Sequence, residues 1–347
     1  MTLPTSRMPT SLLVGIFLIL LTAALKFGAG LLLPIAIAGL FTLLLDPAVR
    51  ALRRLGVPTA VGAGLLVFGT VGVMATGGVL LAGPAANWIE DAPTMMTQAQ
   101  RKVRRLLRPI QETAKTMEKV TETAQVGATP TVQIQAPGLL ERLRVSTTSF
   151  LVTAVTVVFL TYFQLATLPV FRKKLADLIG TRDGENHTEE VLSELEGQMS
   201  RYMLLNTLTS AGVGLATWAL LAAIGLPNAV LWGTAAFLLN FIPYAGAVVT
   251  VALIGVASLV SFNDTGPVVL AMAGSIAINL VEGNLVTPYL MGRHLPLNPV
   301  AIFVSLLYWG WVWGPVGALL AVPLTVMLQV ICSRVAALKP VAVLLDS

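Results

Sequence analysis

The sequence predicts an all-α, polytopic integral membrane protein: about six full spans, two broken or re-entrant hairpins forming an inverted repeat, and an extracytoplasmic helical insertion. Three observations predict this. The 347 residues are 56% hydrophobic and 11% charged, with a mean hydropathy of +0.82, whereas a soluble domain is about one-quarter charged. Several apolar runs exceed the ~20 residues that cross a ~30 Å hydrocarbon core. Two of them, 226–249 and 297–324, carry prolines and glycines in their middle. A lipid-facing helix has no use for these, because proline leaves carbonyls without intrahelical partners and an orphaned carbonyl in hydrocarbon costs several kcal/mol.

Composition also excludes function classes. Cys332 stands alone, which rules out an intrachain disulfide framework, and His187 and His294 are too distant to suggest a metal constellation. The net charge of +5 sits in basic residues that flank apolar segments. They read as topology signals and not as a nucleic-acid face. No H-E-x-x-H, G-x-S-x-G or phosphate-binding loop is present. Nothing here points to an enzyme or a cofactor, and without ATP-hydrolysing machinery uphill transport would draw on an ion gradient.

The first region, 1–83, contains three spans. Residues 12–25 and 27–45 form a helical pair joined at Lys26-Phe27-Gly28, with Asp46-Pro47 ending the second helix. Arg50, Arg53 and Arg54 follow and place this loop, and with it the N-terminus, in the cytoplasm. The third span, 57–83, is glycine-rich for close helix contact, and Pro84 ends it. An extracytoplasmic insertion, 84–145, carries a heptad seam from Met96 through Ala99, Val103 and Leu106 to Ala124, kinked at Pro109. The piece 127–138 is a loop. Region 146–203 holds the fourth span and a cytoplasmic amphipathic helix that merges into the fifth.

Regions 204–262 and 263–347 repeat one layout. Each begins with an uninterrupted apolar helix and continues into an interrupted hydrophobic hairpin, and Pro243-Tyr244-Ala245-Gly246-Ala247 matches Gly314-Pro315-Val316-Gly317-Ala318. Hairpins that return to the side they came from put every short Arg- or Lys-rich loop inside and give the two units opposite orientation. Paired broken segments in corresponding halves point to a substrate site. The candidates in the first unit are Asn240, Pro243, Tyr244 and Gly246. In the second they are Trp313, Pro315 and Gly317, with Trp309 and Trp311 nearby as interface aromatics. Asn279, Glu282, Asn284 and Pro288 gather near the end of the seventh segment. Glu282 either loads a proton or cation at depth or acts as a structural acceptor. The asparagines either meet a polar solute or make interhelical hydrogen bonds. Asp46 and Gln164 read as boundary residues.

At FIPYAG (241–246), NLVEGNLVTPYLMGR (279–293) and the run 297–324, the chain resembles the autoinducer-2 exporter-like permease family of bacteria. Pro243, Gly246, Glu282, Asn284, Pro288, Gly292, Pro299, Gly314, Gly317 and Pro323 sit where its motif residues fall. Ala247 stands where many members have proline, and Met203-Leu204-Leu205 replaces small and polar residues. The resemblance implies a multi-pass protein of the bacterial cytoplasmic (inner) membrane, with cytoplasmic termini. It implies export of a small polar solute such as a quorum-sensing furanone, or monovalent cation/proton antiport, and a homo-oligomer, pentameric in some members. A non-transporting membrane scaffold is the reading from a different class.

Overall fold

The computed structural model describes residues 10–118, 139–179, 185–291 and 298–334. All regular structure there is helical: α1 (Thr10–Phe27), α2 (Ala29–Arg54), α3 (Thr59–Glu118), α4 (Leu139–Ile179), α5 (Glu185–Ile224), α6 (Ala229–Leu239), α7 (Ala245–Ser261), α8 (Thr265–Val281), a π-helical turn (Glu282–Val286), α9 (Thr287–Met291) and α10 (Pro299–Arg334). Among the described residues six helices are long and apolar enough to cross a bilayer. The protein is a multi-pass, all-α membrane protein.

Two helix ends differ from those predicted. Asp46-Pro47 does not end α2, which continues to Arg54. Pro47 has no N–H to give the carbonyl of Leu43, but the Ser200 hydroxyl of α5 donates to that carbonyl at 2.6 Å, so the break is repaired from outside the helix. Asp46 is buried and paired with Arg50 at 2.9 Å, one turn on. Gln164 accepts a hydrogen bond from Thr42 and ties α4 to α2. The true stop is Gly56, at φ +88, where the amides of Gly56 and Val57 cap the carbonyls of Arg53 and Leu52. The three arginines therefore lie on the last two turns of α2, where positive charge suits the helix dipole.

Pro84 likewise does not end the third span. α3 runs unbroken to Glu118, so the change to charged composition happens along one helix. A proline inside a helix removes one hydrogen bond and keeps a helical φ, so one proline need not end a helix. Of the heptad seam, Ala99 is buried, whereas Val120, Ala124 and the loop 127–138 lie outside the described residues.

α5 is the axis of the bundle. Its early part, at Met199 and Met203, packs with Leu43 of α2 and with Val322 and Val326 of α10. Its later part packs on α6 in close antiparallel contact, a Cβ at Gly233 lying 2.6 Å from the Cβ of Trp218 and one at Gly214 2.8 Å from that of Phe237. Those two glycines let the backbones approach.

Candidate functional site: two broken hairpins on one helix

The first interrupted unit is a re-entrant hairpin. α5 stops at Gly225, φ +84, and the chain reverses at Asn228, which takes a left-handed conformation. α6 then spans 11 residues, about 16 Å, half of a ~30 Å core. Its C-terminal Asn240 donates from Nδ2 to the Ser210 hydroxyl at 3.2 Å. Ser210 is fully buried and lies midway along the apolar stretch Glu196–Ile224, so the tip of the hairpin reaches the middle of that stretch. α7 returns the chain, and its Ile254 and Ala257 pack against Ala229 and Trp232 at the head of α6.

The tip itself is strained. Pro243 is held at negative φ, so the reversal falls on Tyr244, at φ 58 and ψ −54. The Ala245 amide donates to the Pro243 carbonyl at 2.6 Å, closing a γ-turn of the rarer, strained hand around Tyr244. No backbone N–H reaches the carbonyls of Asn240 and Phe241 among the described residues. Gly246 is buried, and a Cβ on it would overlap the carbonyl of Leu239, lying 2.7 Å from the carbonyl carbon.

The second unit repeats this solution with different residues. α10 is folded in half at Gly314, whose φ of 67 and ψ of −152 are open to glycine alone. Ser305 donates to the Ala321 carbonyl and hydrogen-bonds Thr325 Oγ1, so the arm 315–334 lies back along the arm 299–313. A Cβ on Gly317 would meet the Trp309 carbonyl carbon at 2.8 Å, the counterpart of Gly246 against Leu239. The positive φ falls on Gly314 here and on the next aligned position, Tyr244, there, because proline occupies 243. Trp313 donates from Nε1 to the Leu25 carbonyl at 2.9 Å and stacks at 4.8 Å on Trp309, so it fastens α1 to the second hairpin. Pro315 is exposed.

The hairpins open toward opposite ends of α5: the first at Leu221 and Leu226, the second at Met199 and Met203. They do not meet. Among the described residues α10 touches α1, α2 and α5, whereas the first hairpin touches α3, α5 and α8. α5 is the helix that both units touch.

Glu282 opens the π-helical turn Glu282–Val286. The Thr287 hydroxyl donates to Glu282 Oε1 at 2.6 Å across five residues, a pairing that π geometry allows by stacking i and i+5. The turn also packs against α5. Asn279 and Asn284 donate to the carbonyls of Ser275 and Leu280, four residues back along the same rod, and no hydrogen bond from either to another helix is present among the described residues. Pro288 is exposed just beyond.

Several contributors were not singled out from sequence. Ser200 and Ser210 are small hydroxyls within an apolar helix, a pattern shared by many silent positions. Thr217 Oγ1 of α5 and Trp232 Nε1 of α6 are buried without partners among the described residues. Trp88 of α3 packs edge-on against Trp232 at 4.8 Å, and Lys102, 14 residues further along α3, donates to the carbonyls of Leu259 and Phe262 at 2.8 Å each. α3 thus grips both arms of the first hairpin, with a cation at the C-terminal end of α7. Lys102→Met should loosen that end, and hydrogen exchange of amides 259–264 should rise about tenfold, the equivalent of one charge-assisted hydrogen bond. Unchanged exchange would leave the contact without weight.

The model of the AI-2E family transporters matches residues 16–337. The Escherichia coli K12 protein named AI-2 transport protein TqsA is 30% identical over 333 residues, covering 95% of this chain and 93% of its own. Two further relatives carry transport in their names as a provisional role. YhhT of Escherichia coli K12 is 29% identical, with 89% and 86% of the two chains covered, and a Haemophilus influenzae Rd protein is 28% identical, with 90% and 89% covered. With the family pattern running through both broken hairpins and the turn at Glu282, the chain belongs to the AI-2E family of transporters.

Proposed function

We propose that the protein exports a small polar solute of the autoinducer-2 kind across the bacterial cytoplasmic membrane, driven or facilitated by an ion gradient. The observation that carries this is the first hairpin. Two backbone carbonyls without backbone partners among the described residues, an asparagine bonded to a buried serine and a strained turn sit together where an apolar hairpin reverses. Broken backbone there is tolerated where protein or a wet cavity covers it. The name of the Escherichia coli relative supports the solute class. The arginines ending α2 support cytoplasmic termini, and a homo-oligomer, pentameric as the resemblance implies, belongs to the same proposal.

A second reading, monovalent cation/proton antiport, is favoured by Glu282, a half-buried carboxylate hydrogen-bonded to Thr287 inside a π turn. Everted vesicles separate the two. Sodium- or potassium-dependent collapse of a pH gradient without added solute supports antiport, whereas autoinducer-2 accumulation without it supports export. In either case Glu282→Gln should cut the flux about tenfold or more, as expected for a lost charge-assisted contact, with melting unchanged. Full flux in that variant would remove Glu282 from the mechanism.

A further inference from the structure

We infer that α1 and the second hairpin together form a binding site for one anionic phospholipid. A groove of about 410 Å³ lies between them, walled by Leu18, Ile19, Ala23 and Phe27 of α1 and by Trp311 of α10. Its walls are apolar, and Leu18 and Ile19 are more than half exposed. On an apolar helix of a membrane protein such a surface faces acyl chains. From Leu18 to Lys26 the groove follows about 12 Å of helix axis, close to one leaflet of a ~30 Å core, so a single chain fits it lengthwise.

The charge at its end selects the headgroup. Lys26 ends α1 with its ammonium 3.8 Å above the centre of the Trp311 ring. No carboxylate pairs with it among the described residues. A cation at the end of a membrane helix, held over a tryptophan face and lacking a counter-ion, is placed to meet a lipid phosphate at the interface. The groove is also pinned: Thr22 and Tyr308 hydrogen-bond at 3.0 Å, and Trp313 holds the Leu25 carbonyl at the same end. A bound lipid would therefore bridge α1 to the turn at Gly314 of the second hairpin. This site is independent of which solute the protein moves.

The test is native mass spectrometry of the purified protein titrated with phosphatidylglycerol or phosphatidylcholine. Wild type should retain phosphatidylglycerol in preference to phosphatidylcholine. Lys26→Gln should bind phosphatidylglycerol about fivefold more weakly, the equivalent of the ~1 kcal/mol that one basic residue contributes at an anionic surface, and phosphatidylcholine no differently. Ala23→Phe, which fills the groove while keeping the charge, should weaken both. Equal phosphatidylglycerol binding by wild type, Lys26→Gln and Ala23→Phe overturns the site. So does efficient disulfide formation between copies carrying Ala23→Cys, which would show a second copy of the chain covering the groove instead.

Discussion

Gly246→Ala and Gly317→Ala are each expected to abolish transport and to destabilise the protein by about 3 kcal/mol or more, the upper range for overpacking a fixed core. The reason is the partner each new methyl would meet. At Gly246 it is the carbonyl of Leu239, and at Gly317 that of Trp309, both backbone of the opposing arm of the same hairpin. A side chain can rotate away, but a helix backbone closed by a five-residue turn cannot move without opening the turn. Gly212→Ala of α5 is the control, since nothing lies within 4 Å of its Cβ, and alanine there should be neutral or slightly stabilising through helix propensity. Thermal melting in detergent, read together with solute flux, checks the contrast. Wild-type melting and flux in Gly246→Ala would show that the arms are not pressed together as described. The equivalence of the two positions is also the strongest physical support for an internal repeat: different local sequences, with proline-tyrosine at one tip and glycine-proline at the other, arrive at the same glycine-to-carbonyl contact.

That equivalence was legible in the sequence because its cause is local. A proline inside an apolar run has few stable outcomes in a bilayer, and aligned glycines that follow it mark close backbone approach. The spans were legible for the same reason, since length and apolarity decide them. What could not be read was which prolines break a helix. Pro243 does and Pro47 does not, and the difference lies in Ser200, more than 150 residues away, whose hydroxyl reaches the carbonyl that Pro47 leaves free. Pro84 does not either, inside the apolar stretch Thr59–Asp91. The π turn at Glu282 was equally hidden. Gly283 and Pro288 hint at irregularity, but the register that stacks Thr287 on Glu282 emerges only when the helix is built. Nor could the packing of the two hairpins be read: both rest on α5, and sequence symmetry specifies the fold of each unit and not the packing of one against the other.

Ser200→Ala is expected to destabilise the protein by about 1–3 kcal/mol, and Pro47→Ala to recover most of that loss. In the wild type the Leu43 carbonyl is buried among α2, α5 and the second hairpin and receives the Ser200 hydroxyl at 2.6 Å. Removing that hydroxyl leaves a buried carbonyl without a partner, and this desolvation penalty sets the range. Pro47→Ala restores an amide at the position where an α-helix would supply the missing hydrogen bond, so the carbonyl is again satisfied from within α2. The two substitutions share one acceptor and must therefore be non-additive, with a coupling of at least about 1 kcal/mol in a double-mutant cycle. Unfolding midpoints of the wild type, both single variants and the double variant measure it. Additive effects would mean that Ser200 packs α5 on α2 without repairing the proline break. Strong coupling would identify this contact as the joint that lets α2 pass Pro47 unbroken at the point where α5 and the open end of the second hairpin converge.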